Sequence, residues 1–136
     1  MEMETDENLD IENRIILAAD GLDVGEIFHM ASILEGMIWG FKFNDFMDDH
    51  NSHLVIDELD RKGYGIFADL KLYDIPNTMA NRVRKLAQYP IYFLTVHMSA
   101  GLGSILAATE AVPTENLRRA GSHSGATGFR INFNRV

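Results

Sequence analysis

The stretch FADLKLYDIPNTMA, residues 67–80, closes an apolar run and crowds Asp69, Lys71 and Asp74 within a few positions of one another. The run before it, GYGIFADLK, has the length and near-continuous apolar character of a strand buried on both faces of a parallel sheet. Pro76 stands where a helix opens, because its missing N–H is no loss in a first helical turn. Met79, Val83, Leu86 and Ala87 then recur at spacings of three and four, the signature of a helix with one apolar face. The stretch therefore reads as a strand, a short charged loop and a helix, with the charges at the C-terminal end of the strand.

The same unit recurs on either side. RIILAAD ends at Asp20, MIWGFKF carries Lys42 next to its end, and PIYFLTVH ends at His97. Between these runs lie three further segments with helical spacing: Val24, Ile27, Phe28, Ala31 and Leu34; Leu54, Val55 and Leu59; and Leu102, Ile105 and Leu106. Gly36 and Gly63 stand where the first two helices should stop. Four βα units spaced by roughly 22 to 30 residues restrict the architecture to a doubly wound sheet or part of a β/α barrel. In both, chemistry gathers at the C-terminal ends of the strands. Asp20, Lys42, Asp69, Lys71 and His97 all fall there.

Composition narrows the function classes. The chain has 136 residues, 46% hydrophobic and 24% charged, as expected of one globular domain. With 12 basic and 20 acidic side chains its formal net charge is -8, which disfavours nucleic acid and anionic lipid as partners. No apolar stretch approaches the length of a membrane span, and the acidic start MEMETDENLDIEN is unlike a secretory signal. The absence of Cys removes disulfides and thiolate metal sites and fits a cytoplasmic setting. Residues 1–13 read as a solvated, disordered acidic tail, and residues 14–112 as the folded unit. From 113 to 136 the βα rhythm is lost: NLRRAGSHSGATGFRINFNRV holds Arg118, Arg119, Arg130 and Arg135 and no acid, and reads as an irregular basic tail, either a flexible extension or a stretch foreign to the fold, with a nucleic-acid arm as the functional alternative.

The spacing of the charges carries a chemical meaning. On a regular strand, positions i and i+2 project to one side, with Cα atoms roughly 6.5 to 7 Å apart, so Asp69 and Lys71 point together. Asp74, in the loop beyond, can reach the ammonium from the other side. If successive strands are neighbours, Asp20, Lys42, Asp69, Lys71 and Asp74 form an array of alternating sign. A lysine set among carboxylates suits a proton donor or cationic clamp better than a nucleophilic amine. A fixed carboxylate beside it repels a substrate anion placed in the same pocket, and loss of that anion in the reaction relieves the repulsion. This is an arrangement for decarboxylation that needs no cofactor. The plain alternative is a charged rim of surface ion pairs with little energetic value.

ADLKLYDIPNT resembles the signature of the orotidine 5'-phosphate decarboxylase family, and the resemblance extends back through GFKF to ILAAD and forward through FLTVHMSAG, about residues 14–112. It implies an α/β fold, a partial TIM (β/α) barrel comprising about four N-terminal βα units of an eight-unit barrel. It also implies conversion of orotidine 5'-phosphate to UMP and CO2 without a cofactor or metal. By position, Lys71 is then the proton donor to C6 and Asp69 crowds the orotate carboxylate. Lys42 completes the charge network and contacts the ribose hydroxyls, which Asp20 also binds. Asp74 and Thr78 reach into the site of a neighbouring subunit, implying a homodimer, and His97 is a pocket residue. The family's later half supplies a pyrimidine-covering loop and a glycine-arginine phosphate grip that this sequence does not place. GATGFR, 125–130, bears only a faint likeness to that grip. Ala19 and the pair Phe43 and Asn44 depart from the family's usual residues.

Two other functional readings stand beside this one: a truncated, non-catalytic fragment or pseudoenzyme of the family, prone to associate through bare sheet edges, and a related Mg-dependent decarboxylase of sugar-phosphate keto acids, which shares D-x-K-x-x-D but not the IPNT continuation. Smaller signals read as structural. His50 and His53 are surface residues lacking a third ligand, SAGLGS is a tight βα turn, and Trp39 is core.

Overall fold

A computed structural model describes residues 14–44 and 51–113, and the backbone of 130–134. Among the described residues five strands alternate with four helices: β1 (Ile16–Ala18), α1 (Val24–Ile33), β2 (Gly40–Phe43), α2 (Ser52–Arg61), β3 (Gly65–Leu72), α3 (Pro76–Leu86), β4 (Phe93–His97), α4 (Leu102–Glu110) and β5 (Arg130–Asn134). All neighbouring strands pair in parallel, in the order β1-β2-β3-β4-β5. A doubly wound sheet reverses its strand order at a switch point, and this one does not. The fold is a segment of a β/α barrel.

The packing agrees with that topology. Phe41, Phe43, Ile66, Ala68, Leu94 and Val96 occupy alternate positions of β2, β3 and β4 and are fully buried. They share one cluster with Ile27 and Ala31 of α1, Val55, Ile56 and Leu59 of α2, Met79 and Val83 of α3, and Ala108 of α4. All four helices thus cover a single face of the sheet, as a barrel requires. The opposite face carries Lys42, Phe67, Phe93, Thr95 and His97 at the intervening positions. Toward the N-terminal ends of the strands an aromatic floor lies on that side: Trp39 meets Tyr92 and Phe93 at ring-centroid distances of 5.2 and 5.4 Å, and Phe67 meets Phe93 at 5.8 Å.

Local chemistry sets the element ends. Gly21, at φ 79°, turns the chain after Asp20, and Asp23 then caps α1 in a reciprocal box: the Glu26 amide donates to Asp23 Oδ1 at 2.8 Å and the Asp23 amide to Glu26 Oε2 at 2.9 Å. Gly36 and Gly63 follow α1 and α2 with positive φ, as expected of helix stops. Pro76 opens α3. Gly40 and Gly65 face each other across β2 and β3, where a Cβ on Gly40 would overlap the Gly65 carbonyl and one on Gly65 would enter the Trp39 ring.

Four expectations change. β1 is an edge strand with Ile16 exposed, like Ile15 just before it, so it is not buried on both faces. Trp39 is half-buried at the floor of the open face instead of lying in the core, because its ring covers Gly65. The segment 113–136 is not irregular throughout: Arg130–Asn134 forms β5 in register with all of β4. Its alternating composition, RINFN, lacks the continuous apolar run that marks the other strands. Finally, β3 is not a regular strand, since its pairing with β4 shifts between Ala68 and Leu72 and Lys71 has φ 47°. The acidic tail 1–13, His50 and residues 125–129 of GATGFR lie outside the described residues. SAGLGS spans a short 3-10 turn, Met98–Ala100, and the start of α4 across Gly101 at φ 93°.

Candidate functional site

The site grows from the C-terminal ends of β1, β2 and β3, which the parallel register brings side by side. Lys42, on β2, stands opposite Ala18 of β1 and Phe67 of β3. From there its ammonium reaches both neighbours: Nζ donates to Asp20 Oδ2 at 2.7 Å and to Asp69 Oδ2 at 3.3 Å. Lys71 Nζ donates to the same Asp69 oxygen at 2.7 Å. Asp20 is itself oriented by the Asn44 amide, which donates to Oδ1 at 2.9 Å. Asp20, Lys42, Asp69 and Lys71 therefore form a continuous chain of alternating charge.

Asp69 is the hinge of this chain. It is 9% exposed, and its carboxylate accepts from three donors, the third being Thr95 Oγ1, which donates to Oδ1 at 2.8 Å. Burial alone would push its carboxyl up, but hydrogen bonds from Lys71, Thr95 and Lys42, with the Lys71 charge, outweigh burial and hold it below the ordinary carboxylate value. Asp69 is thus anionic at neutral pH. Lys42 is shifted upward, chiefly by its hydrogen bond to Asp20 and further by Asp69, against the opposing effect of burial. It remains a cation although its side chain is partly buried.

The remaining candidates are placed differently. The Asp74 carboxylate does not reach Lys71: it accepts from the Ile75 amide at 2.7 Å and has no ion pair among the described residues. The five-membered array read from sequence is a four-membered one within this chain. The reason is local, since the loop before Pro76 turns Asp74 back onto its own backbone at the opening of α3. Thr78 is half-buried in the first turn of α3. His97, at the end of β4, contacts the Tyr73 ring edge-on at 5.7 Å, and its buried Nδ1 has no hydrogen-bond partner among the described residues. It stands on the same face as Asp69 without joining the charged chain. Among the described residues no group of three or more His, Cys, Asp or Glu side chains is arranged to hold a metal ion.

Thr95 was not singled out from the sequence, although a signal was present: it is the one hydroxyl residue inside the apolar run FLTVH. Its relation to Asp69 depends on the register of β4 against β3, which no local pattern reveals.

The geometry can be set beside known proteins. The sequence profile of the Orotidine 5'-phosphate decarboxylase / HUMPS family matches residues 13–123, most of the chain. The chain belongs to that family. An orotidine 5'-phosphate decarboxylase from Buchnera aphidicola is 31% identical over 99 residues, covering 73% of this chain and 42% of the relative. The crystal structure of orotidine 5'-phosphate decarboxylase from Pyrococcus horikoshii superposes with a TM-score of 0.63 at 29% identity, covering 71% of this chain and 47% of that one. That from Lactobacillus acidophilus gives 0.64 at 27% identity, covering 88% and 51%. This family member spans about two fifths to one half of the length of such relatives, and the part it spans includes all four residues of the charged chain.

Proposed function

We propose that the chain decarboxylates orotidine 5'-phosphate to UMP, with Lys71 as proton donor and without a cofactor. The observation that carries this reading is the shared oxygen of Asp69, held between the ammonium groups of Lys42 and Lys71 at 3.3 and 2.7 Å. It places a fixed anion and a mobile proton side by side. A substrate carboxylate at C6, brought against Asp69, is repelled in the ground state, and the repulsion vanishes as the C6–CO2 bond breaks. The electron pair left on C6 takes a proton from the Lys71 ammonium, giving UMP and a neutral amine that regains its proton from water. Lys42 and Asp20, joined at 2.7 Å, supply a donor and an acceptor for the ribose hydroxyls.

The same reading assigns Asp74 and Thr78 to the site of a second copy, making a homodimer. Two features support it. The Asp74 carboxylate is free of ion pairs within the described chain, and apolar Tyr73 and Ile75 on either side of it are 61% and 66% exposed. Ser104 Oγ donates to the Asp74 carbonyl at 2.7 Å and ties this loop to α4, whose Leu102 is also exposed. No helix among the described residues is long and apolar enough to cross a membrane, and a cytoplasmic setting accords with the absence of cysteine.

The test is release of labelled CO2 from carboxyl-labelled orotidine 5'-phosphate by the purified chain with a chelator present. Turnover in chelator supports the proposal. Turnover only after Mg2+ is restored, with a sugar-phosphate keto acid as the better substrate, would move the chain to the metal-dependent class, and no turnover of either by folded protein would mark it as non-catalytic.

A further inference from the structure

Between Ala68 and Leu72, β3 advances four residues while β4 advances two, from Leu94 to Val96. The β4 residue inside that gap is Thr95, which is 6% exposed. Its hydroxyl serves both sides of the bulge, accepting from the Lys71 amide at 2.9 Å and donating to Asp69 Oδ1 at 2.8 Å. A single hydroxyl can do both, since it carries one proton and two lone pairs. Lys71 sits in the left-handed region at φ 47°, which a side chain with a Cβ holds only when its surroundings impose it.

We propose that Thr95 is a positioning residue for Lys71, its hydroxyl standing in for the missing ladder partner and locking the bulge that sets the lysine ammonium against Asp69. The inference rests on the reading of Lys71 as proton donor. Without the hydroxyl, the Lys71 amide and one oxygen of the buried Asp69 lose their shared partner. The economical response is for β3 to relax toward a regular ladder, which would take φ of Lys71 back to extended values; Lys71 would still share a face with Asp69, but its ammonium would lose the position that now sets it 2.7 Å from the Asp69 oxygen it shares with Lys42. Valine has the shape of threonine and no hydroxyl, whereas serine has the hydroxyl and less bulk, so the two substitutions separate hydrogen bonding from packing.

The experiment uses the full chain and three readouts: the carbon-13 titration of the Asp69 carboxyl, hydrogen exchange of the Lys71 amide, and turnover of orotidine 5'-phosphate. In Thr95→Val the Asp69 midpoint should rise by about one pH unit and Lys71 exchange should speed by roughly tenfold or more. Its kcat should fall by roughly 10- to 100-fold with KM changed far less, as expected for a displaced reacting group. Thr95→Ser should restore all three. A Thr95→Val chain that keeps the Asp69 midpoint and the Lys71 protection overturns the proposal. Should Thr95→Val fail to fold, Thr95→Ser decides: retained protection and midpoint support the hydroxyl role, and a folded serine variant that loses them refutes it. Absence of turnover by the unsubstituted chain would defeat the decarboxylase reading, while titration and exchange would still decide whether Thr95 holds the Asp69 and Lys71 pair.

Discussion

Replacing Asp69 by asparagine probes the centre of the charged chain, because asparagine keeps the shape and one acceptor oxygen while removing the charge and turning the second acceptor into an NH2 donor. At an effective dielectric of about 20, a unit charge pair at the 2.7 Å separation from Lys71 is worth roughly 6 kcal/mol, and one at the 3.3 Å separation from Lys42 roughly 5. Desolvation of a carboxylate this buried takes back most of that attraction, leaving a net destabilisation of about 3 kcal/mol when the charge is removed, Lys71 loses its counter-ion and Lys42 keeps only Asp20. The pH dependence has a definite sign. The folded-state pKa of Asp69 is depressed, so its contribution is fully present above the unfolded value of about 3.9 and is lost as pH falls through the folded value. Urea unfolding followed by the fluorescence of Trp39, the sole tryptophan, should therefore show Asp69→Asn less stable by about 3 kcal/mol at pH 7, with the deficit shrinking steadily as pH is lowered below about 4. An asparagine variant as stable as the parent at pH 7, or a deficit that does not shrink on acidification, would refute this account of the site.

Two further substitutions test the scaffold. Gly40→Ala should cost about 3 kcal/mol in urea unfolding, since its Cβ would overlap the Gly65 carbonyl and force β2 and β3 apart directly below Lys42. Asp23→Ala, which breaks the capping box of α1, should cost about 1 kcal/mol and speed exchange of the Glu26 amide, leaving the charged chain and any turnover intact.

What could be read from the sequence divides along a physical line. The four βα units were legible because β2, β3 and β4 are nearly continuous apolar runs and because Gly36, Gly63 and Pro76 punctuate the helices that pack on one face. Lys42, Asp69 and Lys71 were legible as neighbours because parallel strands in sequential order align their C-terminal ends. Features decided by register or edge position were not. Regular pleating would also place Asp69 and Lys71 on one side, but here they meet through a bulge with a left-handed lysine, and the residue that fills it, Thr95, lies 24 positions from that lysine. Asp74 turned to its own backbone because a loop before proline offers a local amide at 2.7 Å, which a spacing rule does not anticipate. The exposure of β1 reflects its place at the sheet edge, and β5 escaped notice because pairing with β4, not apolar content, makes it a strand.

The central claim is that Lys71, held against Asp69, delivers the proton that completes decarboxylation. The most direct measurement is kcat for UMP formation by Lys71→Ala beside the parent chain, with circular dichroism showing both folded. The account predicts a loss of at least about 100-fold, the lower range for removal of a positioned acid. A folded alanine variant that turns over within a few-fold of the parent would contradict it.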